Sequence, residues 1–191
     1  FGVMHGFLIA YLEIQPFIIT LGGMFLAQGL LTTLHKDPIN VTMPTFVALR
    51  NYTIEIPLLG TVNRLGYFIP SEIKPGVIVV VVLVILYAVL MKWSRFGRNV
   101  YAIGGNSQSA RMLGINVKRT RFFSYVICGL TAGISGFVFL MTTGAGNIGN
   151  GALFEMKAIA SNVIGGILLN GGVGNLLGAP IGTLTCLLLH I

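Results

Sequence analysis

Three runs of the chain are apolar over membrane-crossing length: FIITLGGMFLAQGLLTTL (17–34), PGVIVVVVLVILYAVLMKW (75–93) and FFSYVICGLTAGISGFVFLMTTG (122–144). Each approaches the ~20 residues that cross a bilayer core, so each predicts a spanning helix. VIVVVV (77–82) has the β-branched composition of a strand. The run continues to Met91, however, which is too long for an ordinary strand and favours a helix. Pro75 suits a first helical turn. FGVMHGFLIAYL (1–12) reads as the tail of another span. Two shorter apolar segments follow, ALFEMKAIASNVIGGILLN (152–170) and NLLGAPIGTLTCLLLHI (175–191), with GGVG (171–174) as a tight reversal between them. They fit either two full spans or a re-entrant pair buried among other helices. Pro180 predicts a kink or break in the second. The expected fold class is all-α, a polytopic transmembrane helix bundle forming one domain over 1–191. Its spans lie at about 1–12, 17–34, 75–92, 122–143, 152–170 and 175–191. Phe1 and Ile191 both fall inside apolar segments, so the expectation is a domain truncated at both ends.

Composition agrees with the pattern. Of 191 residues, 54% are hydrophobic and 9% charged, against about 25% charged in soluble domains. The net charge of +7 is unevenly placed. Residues 92–121 carry Lys92, Arg95, Arg98, Arg111, Lys118, Arg119 and Arg121 without an acid. Residues 35–74 mix Lys36, Arg50, Arg64 and Lys74 with Asp37, Glu55 and Glu72. A basic connection between spans is expected on the cytoplasmic side. The segment 93–121 is therefore read as cytoplasmic and 35–74 as external, a proline-punctuated stretch able to cap the bundle. The same rule sends 75–92 inward and 122–143 outward, and it places Glu13–Gln15 on the cytoplasmic side. It also accounts for the basic excess without nucleic acid.

Glycine recurs at helical spacing: Gly2 and Gly6; Gly129 and Gly133; Gly174, Gly178 and Gly182. Small residues four apart let helix backbones approach closely in lipid, so these are the expected packing positions.

Candidate chemistry is sparse. GGVGNLLG and AIGGN lack the lysine and strand–turn–helix setting of a phosphate loop. His5, His35 and His190 are scattered, the five acids are dispersed, and Cys128 and Cys186 stand alone in apolar runs. No metal, cofactor or catalytic constellation is expected. Ion-coupled carriers place ionisable groups within spans. Here Glu155 and Lys157 are the candidates, both at an interface, so an energy source outside the chain is expected. Gln15, Gln28, Asn162 and Asn170 are polar in or near spans and suit either a solute path or helix-bridging hydrogen bonds. The path itself is not assigned.

One polar stretch interrupts this pattern: YAIGGNSQSARMLGIN (101–116). Gly104-Gly105 reads as a turn and hinge, Asn106 or Ser107 as a helix N-cap, and Gly114 as the helix end. The short helix between carries Ala110, Met112 and Leu113 beside Arg111, a small apolar face for a cytoplasmic partner.

QPFIITLGGMFLAQGL, RFGRNVYAIGGNSQSARMLGINV and KAIASNVIGGILLNGGVGNLLGAPIGTL together resemble the permease subunits of bacterial sugar ABC importers of the ribose, xylose and galactofuranose type. PFIITLGGMF leans toward the galactofuranose member. The segment departs from the family pattern at Lys157, which stands immediately before Ala158. The resemblance implies a multi-pass protein of the bacterial inner membrane that forms half of a sugar path and has no catalytic site of its own. It implies cytoplasmic ABC ATPase subunits, a second permease subunit and an external sugar-binding protein as partners, besides membrane lipid. It assigns Asn106, Ala110, Arg111, Leu113 and Gly114 to an ATPase-coupling helix. The alternative from another class is an ATP-independent channel or secondary carrier for a small polar solute.

Overall fold

Proline opens several of the helices, as its fixed φ and missing N–H favour. In the computed structural model, which describes residues 1–34, 37–62, 68–168 and 171–189, α1 (Gly2–Ala10) is followed by α2 (Pro16–Leu34). A two-residue strand β1 (Ile39–Asn40), the short helix α3 (Pro44–Asn51) and strands β2 (Ile54–Val62) and β3 (Phe68–Ile73) come next. Then follow α4 (Pro75–Trp93), α5 (Arg95–Gly105), α6 (Ser107–Met112), α7 (Val117–Thr143), β4 (Ala145–Gly146), α8 (Phe154–Ile164) and α9 (Gly178–Leu189). His35, Lys36, Arg64, Asn170 and His190 lie outside the described residues.

Among the described residues, three helices are long and apolar enough to cross a membrane: α2 and α4 at 19 residues and α7 at 27. At 1.5 Å per residue these are about 28 Å and about 40 Å long. The β-branched run of α4 is helical throughout. In lipid a lone strand leaves its backbone groups unpaired, whereas a helix satisfies them internally. α7 starts five residues before the expected span because Asn116 caps it, its Oδ1 accepting from the Arg119 amide at 3.0 Å. It ends at Gly144, where φ is 73°.

α7 is the central post. α1 runs antiparallel along it: a Cβ added at Gly2 would lie 2.9 Å from the Gly129 Cα, and one at Gly6 would lie 3.0 Å from the Phe122 carbonyl oxygen. α4 is also antiparallel to α7, with Gly76 against Val138 and the Tyr87 hydroxyl 2.9 Å from Thr131 Oγ1. At the far end of α7, β1 pairs with β4, and Phe46 of α3 meets Phe137 edge-on. β2 and β3 pair antiparallel, with an irregularity between Ile56 and Gly60 that accommodates Pro57. The sequence pattern did not predict this hairpin.

The last two apolar segments form the shorter helices α8 and α9. α8 stops after 11 residues, at Ile164, about half the length that crosses a bilayer core. Residues 165–168 and 171–177 are not helical, and φ is positive at Gly166, Gly171, Gly172 and Gly174. α9 returns antiparallel to α8, with Gly178 against Gly165 and Gly182 against Ser161. Pro180 sits in the first turn of α9, where its missing N–H costs nothing, rather than kinking it.

The expected packing glycines have different surroundings within the chain. Gly133 has nothing within 4 Å of its Cβ direction, and Gly174 lies in the reversal rather than in a helix. Gly129, Gly178 and Gly182 do meet backbone.

Side-chain burial is low. A soluble globule of this mass would expose roughly 9,000 Å², whereas this chain exposes 13,899 Å². The excess consists of exposed Leu, Ile, Val and Phe along the long helices, surface suited to lipid and to other protein.

Candidate functional site

Three polar residues organise the basic segment between α4 and α7. Ser94 ends α4 and caps α5, its Oγ accepting from the Gly97 amide at 3.0 Å. Asn106 caps α6, its Oδ1 accepting from Gln108 and Ser109 amides at 2.9 and 3.0 Å. Asn116 does the same for α7. Each cap satisfies amides that a helix start leaves open. The segment is thus two closely coupled helices, α5 and α6, leading into α7, rather than a loop with one incidental turn.

Gly104 and Gly105 are not the turn that their sequence suggests. They form the last turn of α5, and the direction changes at Asn106, where φ is −153° and ψ is 108°. Gly104 instead gives way to another segment, because a Cβ there would fall on the Gly172 amide.

α6 is seated firmly. Ala110 is 1% exposed, and four of the five buried apolar residues among those described, Ile9, Ala10, Ala110 and Val117, lie on α6 and on the adjoining ends of α1 and α7. Beyond the seat, Met112 and Leu113 are 80% and 78% exposed. Gly114 closes the helix at φ 79°, its amide bonded to the Arg111 carbonyl at 3.0 Å.

The connection between α1 and α2 reaches the same place. Glu13, at φ 55°, sets Oε1 3.2 Å from Lys118 Nζ and 3.8 Å from Arg111 Nη2. The hydrogen bond from Lys118, then the Lys118 and Arg111 charges, hold its carboxyl below the ordinary glutamate range. All three groups are well exposed, so the tie orients more than it stabilises. A lowered folded pKa makes the contribution complete above the unfolded value and removes it as pH falls through the folded one. The distance between spin labels at Gln15 and Arg119 is therefore expected to stay constant from neutral pH through the ordinary range near 4.5 and to lengthen only in stronger acid. Glu13→Gln should show the longer distance at every pH.

The model of the family described as branched-chain amino acid transport system / permease component matches residues 1–191. The chain belongs to this permease family. The permease is 37% identical over 182 residues to the inner membrane ABC transporter permease protein YjfF of Escherichia coli (strain K12), covering 95% of this chain and 52% of that protein. It is 35% identical over 189 residues to the fructose import permease protein FruG of Bifidobacterium longum (strain NCC 2705), covering 96% and 53%. It is 31% identical over 232 residues to the xylose transport system permease protein XylH of Haemophilus influenzae (strain ATCC 51907 / DSM 11121 / KW20 / Rd), covering 96% and 61%. The chain spans about half the length of the first two relatives. No solved structure matches it. Family and fold together make it a helical integral membrane protein of the permease class.

Within the permease, the five expected coupling residues occupy different settings. Asn106 holds the helix start, Ala110 is buried beneath it, and Arg111 is tied to Glu13. Leu113 projects outward and Gly114 occupies a left-handed turn. Sequence reasoning omitted Met112 from the set, although it is the more exposed of the apolar pair. Glu13 and Tyr101 were also missed as site residues. An acid facing an otherwise all-basic side was a usable signal for the first, whereas nothing local marked the second. Gln15, Gln28 and Asn162 fall on separate elements: the α1–α2 connection, α2 and α8. Among the described residues no cluster of three or more His, Cys, Asp or Glu could hold a metal.

Proposed function

We propose that the chain is the transmembrane permease subunit of an ATP-driven sugar importer in a bacterial inner membrane. It forms half of the translocation path, paired with a second permease subunit, and receives solute from an external sugar-binding protein. α6 is its contact with a cytoplasmic ATPase, and the chain itself carries out no hydrolysis. The observation that carries this reading is the seated helix α6, with Met112 and Leu113 presented to solvent on a segment free of acids. The names of the relatives, which include fructose and xylose import permeases, support sugar as the solute class. The PFIITLGGMF segment favours galactofuranose among sugars.

The test is uptake by proteoliposomes holding the assembled transporter, using a panel of labelled sugars that includes galactofuranose, ribose, xylose and fructose. ATP-dependent uptake with galactofuranose preferred is the expected result. Flux driven by a solute gradient through the permease without its ATPase would instead establish the channel or carrier reading.

A further inference from the structure

We propose that residues 101–105 of α5 and the glycine reversal 171–174 form an interlock that carries displacement of α6 to the α8–α9 pair, with Tyr101 and Gly104 as its positioning residues. The proposal rests on the reading of α6 as the ATPase contact.

The two segments meet backbone to backbone. A Cβ at Gly104 would fall on the Gly172 amide, one at Gly172 would lie 2.6 Å from the Gly105 nitrogen, and one at Gly171 would lie 3.4 Å from the Gly104 Cα. Each side lacks a side chain where the other approaches. One turn earlier on α5, the Tyr101 hydroxyl donates to the Gly174 carbonyl at 3.1 Å. The reversal closes on itself through Leu168 N–H to Val173 O at 3.2 Å and Gly171 N–H to Leu168 O at 3.1 Å. Its positive φ values at 171, 172 and 174 are ones that a residue with a side chain adopts at a cost.

The contact is continuous on both sides. Toward the cytoplasmic helix, α5 passes into α6 through the single residue Asn106, whose amide bonds to Ala102 O at 3.2 Å. Away from it, the reversal leads directly into α9, which lies on α8 through Gly178 and Gly182. Coupling between distant sites travels through packed elements of this kind. A segment clamped by close backbone contact transmits displacement instead of absorbing it.

Gly104 and Gly105 provide a matched test. A Cβ at Gly105 meets nothing within 4 Å, and both residues are helical, so alanine at either raises local helix propensity alike. In proteoliposomes holding the complete transporter, solute moved per ATP hydrolysed is measured for Gly104→Ala, Gly105→Ala and Tyr101→Phe. The expected result is a fall on the order of 2- to 30-fold for Gly104→Ala, no change for Gly105→Ala, and a smaller fall for Tyr101→Phe with hydrolysis retained. A merely structural defect would lower transport and hydrolysis together and leave the ratio unmoved. Equal ratios in the two alanine variants, or an unchanged ratio in Tyr101→Phe, overturn the interlock. If Gly104→Ala fails to assemble, Tyr101→Phe decides alone. Absence of ATP-driven uptake in the unmodified protein overturns the importer reading and this proposal with it. ATP-driven uptake with unchanged variant ratios overturns the interlock only.

Discussion

Met112→Glu combined with Leu113→Glu is expected to leave the permease inserted and folded while abolishing its association with the ATPase. Both side chains are largely in solvent, so the exchange costs the isolated subunit little. At a docked interface they would be desolvated, and burying a carboxylate in place of an apolar anchor costs about 2–4 kcal/mol, roughly 30- to 1,000-fold in affinity. The measurement is co-purification of ATPase with the tagged permease, alongside the amount of permease in the membrane fraction. Ala110→Glu should behave oppositely. Ala110 is buried at 1% exposure, so the carboxylate displaces the seat of α6, and the membrane fraction itself should fall. If Met112/Leu113 variants retain the ATPase, α6 is not the docking helix.

Gly182→Val should separate α9 from α8. The added side chain would fall on the Ser161 carbonyl, with the Gly165 nitrogen 2.7 Å from its Cβ. These neighbours are backbone and cannot rotate aside, so the helices must part. Overpacking of this kind costs about 3 kcal/mol, a fall of roughly 6–12 °C in unfolding temperature for a chain of this size. Thermal unfolding in detergent would show it. Gly133→Val is the control, since nothing lies within 4 Å of that position, and its midpoint should stay within about 2 °C. Matching losses in the two variants would show that glycine content, rather than this contact, governs stability.

The contrast between these glycines also marks where sequence reasoning stops. Local chemistry was readable. The β-branched run of α4 could be assigned as a helix because its length and apolarity decide the matter. A cap at Asn106 or Ser107 could be read because short polar side chains at a helix start have open backbone donors to meet, and Asn106 is the one that does so. Long-range contact was not readable. A spacing of four places glycines on one face but does not say what approaches that face: Gly178 and Gly182 meet backbone within this chain, whereas nothing of this chain lies within 4 Å of Gly133. Gly104-Gly105 suggested a turn because glycine disfavours helix locally. The approach of residue 172, sixty-eight positions away, is what gives the missing side chain at 104 its use. The break after Ile164 was hidden for a related reason: the run stays apolar through Leu169, and the helix ends where positive φ at Gly166 suits a turn.

The small β1–β4 pairing has a mechanical consequence. Two register pairs and the bond from the Val41 amide to the Gly144 carbonyl at 3.2 Å pin the chain leaving α2 to the chain leaving α7. The opposite end of α7 carries Lys118 and adjoins α6. A rod of about 40 Å held at one end has its fulcrum there. Tilting it by about 5° sweeps the free end through roughly 3 Å while the pinned end hardly moves. The leverage of α7 is thus greatest beside α6, and the β1–β4 pairing can persist while the helix swings.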